Sequence, residues 1–337
     1  MKLLILGGSM FVGYHMTKAA LDAGHEVTLF NRGKTDPDAF PEAEKLIGDR
    51  MENLTALQGR QWDAVIDTSG YLPRVVKASV ALLADQVKQY IFISTISVYQ
   101  DFLNPGVDET YPVSEMDDPT NEDVRSYYDE LKVLCERTVE DYFPERGLYI
   151  RAGLIAGPRD PLDRFTYWPT RMKRGGDVLV GGNPDDAIQF IDVRDLAEWT
   201  IRMIENEETG VYNATGPDEP LTMQQLLETC RQVTDVEAKF IYADSDFLME
   251  KKVIPWDELP LWNPKQGETA HMTYYLAVSN EKARAKGLRF RPLQETIRDI
   301  LSWDATRPVD QMRYAGLAEK KEQKLLKEWL ERTTQSQ

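Results

Sequence analysis

A tyrosine and a lysine stand four residues apart in "YYDELKVLCE", as Tyr128 and Lys132. This spacing puts both side chains on one face of a helix, whereas the adjacent Tyr127 lies about 140° further round. Upstream, the apolar run "YIFIS" passes into the hydroxyl residues of "STISVY". A phenol, an ammonium and a hydroxyl that meet at the end of a strand could transfer a proton to or from a substrate oxygen.

The first apolar run of the chain is followed by the glycine-rich stretch "GGSMFVG". A loop of the P-loop type is excluded, because Gly13 is followed by Tyr14 and His15 instead of Lys-Ser/Thr. A dinucleotide loop fits, provided that the Met10 side chain points away from the phosphates; a purely structural turn is the alternative. We predict a dinucleotide-binding loop formed by Gly7, Gly8, Ser9, Met10, Phe11, Val12 and Gly13.

The second apolar run ends in "LFNRGKT", where dinucleotide sites usually carry an acid for the ribose 2′-hydroxyl. Here Asn31 replaces the acid, and Arg32 and Lys34 supply two cations for a 2′-phosphate, so NADP is favoured over NAD as cofactor. The alternative is a polar turn with its arginine in solvent. The further predicted cofactor contacts are Asp49, Thr68, Ser69, Gly70, Tyr128 and Lys132.

Short apolar runs alternate with helical patterns along the chain, which predicts parallel strands joined by crossover helices. The fold class is therefore α/β, a Rossmann-type doubly wound parallel sheet with a smaller C-terminal substrate lobe. We assign 1–155 to an NAD(P)-binding domain whose sheet is completed by about 188–215, 156–187 and 216–305 to the substrate lobe, and 306–337 to a helical tail. The predicted strands are 3–6, 27–30, 64–66, 90–93, 148–151, 189–193 and 211–214.

Composition and net charge limit the kinds of binding partner that can be expected. With 42% hydrophobic and 28% charged residues, the chain resembles a soluble globular protein, and we expect a cytoplasmic location because no targeting or membrane segment is found. The net charge of −16 repels phosphate backbones and anionic membranes, so neither nucleic acid nor membrane is predicted as a partner. Two cysteines and three scattered histidines show no ligand spacing, which predicts no disulfide and no metal.

Across residues 1–305 the chain resembles the extended short-chain dehydrogenase/reductase family, in its group of nucleoside-diphosphate-sugar epimerases and dehydratases. The resemblance rests on the glycine loop, "STISVY", the Tyr-x-x-x-Lys pair, "IRAGLIAGP" and "QFIDVRDLA". It implies Tyr128 as general acid/base, Lys132 as holder of the nicotinamide ribose and Thr95 as the active-site hydroxyl, with Ser97 as a neighbour that contacts substrate. A free tyrosine has a pKa of about 10, but Lys132 and an oxidised nicotinamide would both favour the phenolate.

Two departures from that family bear on the substrate. Ile188 stands where many nucleotide-sugar members carry an arginine for the diphosphate, and Ile96 and Ser97 replace the Asp-Glu pair of sugar dehydratases. Three functions stay open: an NAD(P)-dependent oxidoreductase acting on a small sugar-like hydroxyl or carbonyl compound, which we favour; an NAD(P)-dependent sugar or nucleotide-sugar epimerase working through a transient ketone; and a dinucleotide-dependent binding protein without turnover. The last is kept because "GGSMF" is similar to divergent members, including chloroplast proteins that bind RNA.

The C-terminal half contains "DRFTYWPTR", in which aromatic residues lie between arginines. Such a segment suits a ring-bearing or anionic small substrate and equally a domain interface. We predict substrate contacts at Arg164, Tyr167 and Trp168. The tail "AEKKEQKLLKEWLER" forms an amphipathic helix that docks on its own domain or, as the alternative, contacts a second subunit of a homodimer.

Overall fold

The computed structural model describes residues 1–308 and 310–335. Its largest sheet has seven parallel strands in the order β10-β6-β5-β4-β1-β2-β3. The doubly wound α/β fold predicted from the sequence is therefore confirmed. The strands of this sheet are β1 (Lys2–Leu6), β2 (Glu26–Asn31), β3 (Glu44–Ile47), β4 (Trp62–Asp67), β5 (Val87–Thr95), β6 (Gly147–Ala152) and β10 (Gly210–Ala214).

The apolar run of β1 shows why a parallel sheet forms. Its residues Leu3, Leu4, Ile5 and Leu6 are at most 1% exposed, as expected for a strand that is covered on both faces. Leu3 and Ile5 pack into one cluster with the helix that follows β1, while Leu4 and Leu6 pack into another on the opposite face. The covering helices are α1 (Phe11–Asp22), α2 (Pro73–Leu83), α3 (Tyr128–Tyr142) and α5 (Val193–Glu205).

The smaller lobe, which was predicted above to bind substrate and keeps the name substrate lobe here, contains two small sheets, one of three strands in the order β11-β9-β7 and one in which β8 pairs with β12. Most of its helices contribute to one core, which includes the fully buried Trp168 and Phe165, whereas Ala283 of the helix at 281–285 packs against the core of the central sheet. The strands are β7 (Ile155–Ala156), β8 (Gly176–Gly181), β9 (Ala187–Asp192), β11 (Gly216–Thr222) and β12 (Ala238–Ala243). The helices are α4 (Tyr167–Met172), α6 (Met223–Thr234), α7 (Ser245–Glu250), α8 (Glu281–Ala285), α9 (Leu293–Asp304) and α10 (Glu319–Gln335).

One strand assignment was wrong. The run 189–193 was predicted to return to the central sheet, but β9 pairs with β7 and β11 in the second sheet, and β10 is the strand that returns. An apolar run specifies burial but not which of two sheets buries it, so its pattern could not separate the two outcomes.

The C-terminal helix α10 docks on the substrate lobe of its own chain. Leu325 and Leu326 are buried in the lobe core, and Glu322 forms a buried ion pair with Arg171 at 2.7 Å. Residues 309 and 336–337 of the predicted tail lie outside the described residues. None of the helices in the described ranges combines the length and apolar composition needed to cross a membrane.

The parallel strands place the polar loops together. β1 is flanked by β2 on one side and β4 on the other, so the strand order reverses at β1 and a crevice opens at its C-terminal end. The glycine loop after β1, the turn at 68–70 after β4 and Thr95 at the end of β5 all lie at this edge.

Candidate active site

The glycine loop forms a cradle at the start of α1. Gly7 and Gly8 have φ values of +109° and +88°, and a Cβ on Gly7 would lie 2.7 Å from Thr68 Oγ1. A Cβ on Gly13 would lie 2.7 Å from the Gly8 nitrogen, so only glycine lets the helix approach this closely. Among the described residues, α1 has no side-chain N-cap and no acid in its first turn, which leaves its N–H groups for an anion. The loop therefore fits the pyrophosphate of a dinucleotide.

The side chain of Met10 does not fill this cradle. It is 56% exposed, although the residue lines the cavities on both sides of the loop. Ser9, Phe11 and Val12 line the larger of these cavities together with the three glycines.

A cavity of about 590 Å³ extends from the loop past the ends of β2 and β3. Arg32 and Lys34 line it, and neither forms an ion pair with any residue that the structure describes. Asp49 lines it as well, with Oδ1 accepting a hydrogen bond from the Met51 amide at 2.9 Å. Two exposed cations in this cavity could bind an anionic group.

Asn31 has a structural role at the same place. Its Nδ2 donates to the Gly7 carbonyl at 2.8 Å, and its Oδ1 accepts from the Gly33 amide at 2.8 Å. The amide side chain therefore connects the glycine loop to the turn that presents Arg32 and Lys34.

A buried ion pair lies beneath the floor of this cavity. The Arg50 guanidinium donates to both carboxylate oxygens of Asp67 at 2.5 Å, and to the hydroxyls of Ser69 and Ser79. Tyr90 donates to Asp67 at 2.7 Å. Burial alone would raise the pKa of Asp67, but the charge and hydrogen bonds of Arg50 outweigh it and lower that pKa. This pair fixes the turn at 68–70.

Lys132 is 3% exposed and hydrogen-bonded to the backbone of the turn after β4 and of β5. Its ammonium donates to the carbonyl oxygens of Gly70 at 2.9 Å and Ile93 at 2.7 Å. It also lies 4.1 Å from the ring centroid of Phe92 and 5.6 Å from that of Tyr71. Burial lowers the pKa of Lys132 to about 8.

Tyr128 begins α3 and faces the cavity with Thr95. Burial raises the pKa of its phenol, and a side-chain hydrogen bond with Thr95 acts in the opposite direction. The ring of Tyr71 lies 6.4 Å from that of Tyr128, so Tyr71 contacts both members of the Tyr-x-x-x-Lys pair. Tyr127 is 38% exposed and is absent from the lining of this cavity, within the described part of the chain.

The cavity that contains Tyr128 has a volume of about 970 Å³ and reaches from the glycine loop to the substrate lobe. Ser97 lines it and forms a hydrogen bond of 2.9 Å with the Tyr275 hydroxyl. Asp129 lies beside them, and its carboxyl is hydrogen-bonded to Ser97. Burial raises the pKa of Asp129 to about 6.

The segment after β7 contributes the opposite wall. Asp160 is 3% exposed, and burial raises its pKa to about 7. Arg164 lines the same cavity, with its guanidinium 4.0 Å from the Asp257 carboxylate.

Two predicted substrate contacts lie elsewhere. Trp168 is fully buried and donates its indole N–H to the Pro260 carbonyl at 3.1 Å, and Tyr167 is 7% exposed in the same core. These aromatic residues pack the lobe instead of lining the cavity. Of the three predicted substrate contacts, Arg164 does line the cavity.

Sequence reasoning missed Arg50, Tyr71, Asp129 and Asp160. Of these residues, Asp129 was the easiest to predict from the sequence. The residue that follows a helical Tyr128 lies about 100° round the helix and can reach the same cavity. Arg50 and Asp67 could not be paired from spacing alone, since they come from different strand ends.

The fold and the Tyr-x-x-x-Lys site define a short-chain dehydrogenase/reductase of the extended type. Residues 3–215 match the NAD dependent epimerase/dehydratase family, and the chain belongs to this family. The family assignment made from the motifs is thereby confirmed.

Two curated relatives from Arabidopsis thaliana show the range of proteins that the chain is similar to. One is UDP-glucuronic acid decarboxylase 1, 26% identical over 299 residues that cover 79% of this chain and 66% of that protein. Another is the chloroplast stem-loop binding protein of 41 kDa b, 25% identical over 249 residues that cover 68% of this chain and 62% of that protein. The chain thus spans slightly less than two thirds of the length of these two relatives.

Among solved structures, the chain is similar to UDP-glucuronic acid 4-epimerase from Bacillus cereus in complex with NAD. The TM-score is 0.66 at 16% identity, with 90% of this chain and 96% of that chain covered. At this identity the likeness establishes the fold.

Proposed function

We propose that the protein transfers hydride between NADP and a small sugar-like hydroxyl or carbonyl compound, with Tyr128 as the proton-transfer group. The observation that carries the proposal is one continuous cavity lined by the glycine loop, Thr95 and Tyr128, with Lys132 buried directly behind it. Family membership supports nicotinamide chemistry at that place.

Each side chain has a distinct task in this proposal. Tyr128 takes the hydroxyl proton during oxidation and returns it during reduction. Thr95 orients the substrate oxygen and supports the phenolate by hydrogen bonding. Lys132 holds the ribose hydroxyls and lowers the free energy of the ionised phenol through its charge. The nicotinamide, when bound, supplies or accepts the hydride.

NADP is the proposed cofactor in preference to NAD. Support comes from Arg32 and Lys34, which line the cavity near the end of β2 without an ion-pair partner in the described ranges. A 2′-phosphate would meet both cations, whereas a ribose 2′-hydroxyl would find no carboxylate at position 31.

Epimerisation through a transient ketone is the second candidate. It is favoured by the solved 4-epimerase whose fold the chain shares. The same three residues would serve it, because a ketone formed by oxidation is reduced again from its other face.

The experiment that tests the proposal is a turnover screen over ketones, sugar lactones and nucleotide sugars, run once with NADPH and once with NADP⁺. An oxidoreductase consumes NADPH in proportion to product, whereas an epimerase changes sugar composition without net loss of cofactor. Cofactor binding with neither signal across the screen would contradict both and leave a binding protein.

A further inference from the structure

The two ends of the cleft carry opposite charge. At the ribose end Arg32 and Lys34 are two exposed cations beside the single carboxylate of Asp49 in the described lining, and the nearby Arg50 is neutralised by Asp67. At the substrate end the charged residues that line the cavity are Asp129, Asp160 and Arg164. One end therefore suits a phosphate, and the other carries more negative than positive groups.

The two carboxyl groups at the substrate end form no ion pair with the described residues, although Arg164 and Arg307 lie near enough to Asp160 to act against the rise of its pKa. Asp129 bonds to the hydroxyl of Ser97, and Asp160 Oδ1 accepts from the Leu162 amide at 2.9 Å. Neither forms an ion pair within 4.0 Å with any residue of 1–308 or 310–335. Above about pH 7, where both carboxyls are ionised, each of them repels a phosphate bound in this cavity, which is partly desolvated and screens charges poorly.

Among the described residues, the arginine that lines this end of the cavity is Arg164, and it forms a long ion pair with an exposed carboxylate. Arg164 lies 4.0 Å from Asp257, and its side chain is 37% exposed. On the neighbouring strand β9, Ile188 is 1% exposed and lies in the lobe core, so this position offers an apolar side chain and no charge. A diphosphate normally requires several cations or N–H donors to replace its hydration.

We propose that the substrate is an uncharged polyhydroxyl compound that carries neither phosphate nor diphosphate, and that Asp129 and Asp160 enforce this choice. The proposal rests on the proposed function, since it specifies the substrate class of the same cavity. Carboxyl groups that repel an anion accept hydrogen bonds from neutral hydroxyls, as do Ser97 and Tyr275. The protein would thus differ in substrate class from enzymes that act on nucleotide sugars.

The test uses pairs of compounds that differ in phosphorylation: dihydroxyacetone and its phosphate, D-fructose and its 6-phosphate, D-glucose and UDP-glucose. Binding to the NADP-loaded protein is measured by saturation-transfer NMR and calorimetry at about pH 8.5, where both carboxyls are ionised, so that the result does not depend on turnover. We expect the uncharged member of each pair to bind at least about tenfold more tightly. In the double variant Asp129→Asn/Asp160→Asn, the ratio of the dissociation constants of the phosphorylated and uncharged members should fall towards one.

The matched control is Asp235→Asn/Glu237→Gln, which removes the same charge from an exposed loop outside the cleft and should leave the ratio unchanged. Tighter binding of UDP-glucose or of either sugar phosphate by the unmodified protein would overturn the proposal, and so would a failure of every uncharged member to bind. If binding follows the expected order but no compound exchanges hydride, the proposed function fails while the charge selectivity stands.

Discussion

The ammonium of Lys132 donates a 2.9 Å hydrogen bond to the carbonyl oxygen of Gly70, and this bond joins helix α3 to the turn after β4. Beneath that turn, Asp67 accepts from the Ser69 amide at 3.0 Å and pairs with Arg50. The position of Lys132 in the proposed mechanism therefore depends on the buried ion pair of Arg50 and Asp67.

Replacing Arg50 with Met should destabilise the protein by about 3–5 kcal/mol, because the fully buried Asp67 would lose its counter-charge. The double variant Arg50→Met/Asp67→Asn should recover part of that loss. Urea unfolding of the three proteins measures the difference. Equal stabilities of the single variant and the unmodified protein would show that the pair does not hold the turn.

Asp129→Asn should stabilise the protein above pH 6. The folded-state pKa of Asp129, about 6, lies above that of an unfolded aspartate, so stability falls as pH rises from about 4 to 6. An asparagine cannot ionise, so the variant should gain about 1–2 kcal/mol in the free energy of unfolding at neutral pH. Below pH 4, where the Asp129 carboxyl is protonated in both the folded and the unfolded state, the substitution should give no gain. Thermal unfolding at pH 4 and pH 7.5 measures both limits, and a gain of equal size at both would rule out ionisation as its cause.

Much of the fold and of the candidate site could be predicted from local sequence patterns. The glycine loop, the Tyr-x-x-x-Lys spacing and the buried runs predicted the sheet and the edge where the polar loops meet, because each depends on local sequence. The packing of Trp168 and the pairing of β9 depend on which surfaces meet across the chain, and aromatic or apolar character alone does not specify that. The Arg50–Asp67 ion pair could not be predicted for the same reason, because it also forms between distant parts of the chain.

Arg32→Ala should narrow the preference for NADP(H) over NAD(H) by about 1–3 kcal/mol, since it removes a charge-assisted phosphate contact. Arg137→Ala, at an exposed position on α3, is the matched control and should have no effect. Fluorescence titration of both cofactors gives the affinities. Equal or reversed affinities in the unmodified protein would refute the assignment of the 2′-phosphate site.

RNA should not bind at physiological ionic strength, because the net charge of −16 opposes association with a phosphate backbone. Fluorescence anisotropy with a labelled stem-loop RNA, in the presence and absence of NADP, measures this directly. The similarity to a chloroplast stem-loop binding protein makes the test informative. Saturable binding that weakens as salt is added would favour the binding-protein alternative.

The most direct test of the central claim compares Tyr128→Phe with Tyr127→Phe in single-turnover hydride transfer, using whichever compound the NADPH screen identifies. Phenylalanine at 128 keeps the ring and removes the phenolic oxygen, so cofactor affinity should be retained while the rate falls by about 10²–10⁴-fold. The control Tyr127→Phe changes an exposed residue outside the cavity lining described above and should keep the full rate. Lys132→Met should lower both affinity and rate. Full activity in Tyr128→Phe with loss in Tyr127→Phe would contradict the roles proposed for Thr95, Tyr128 and Lys132.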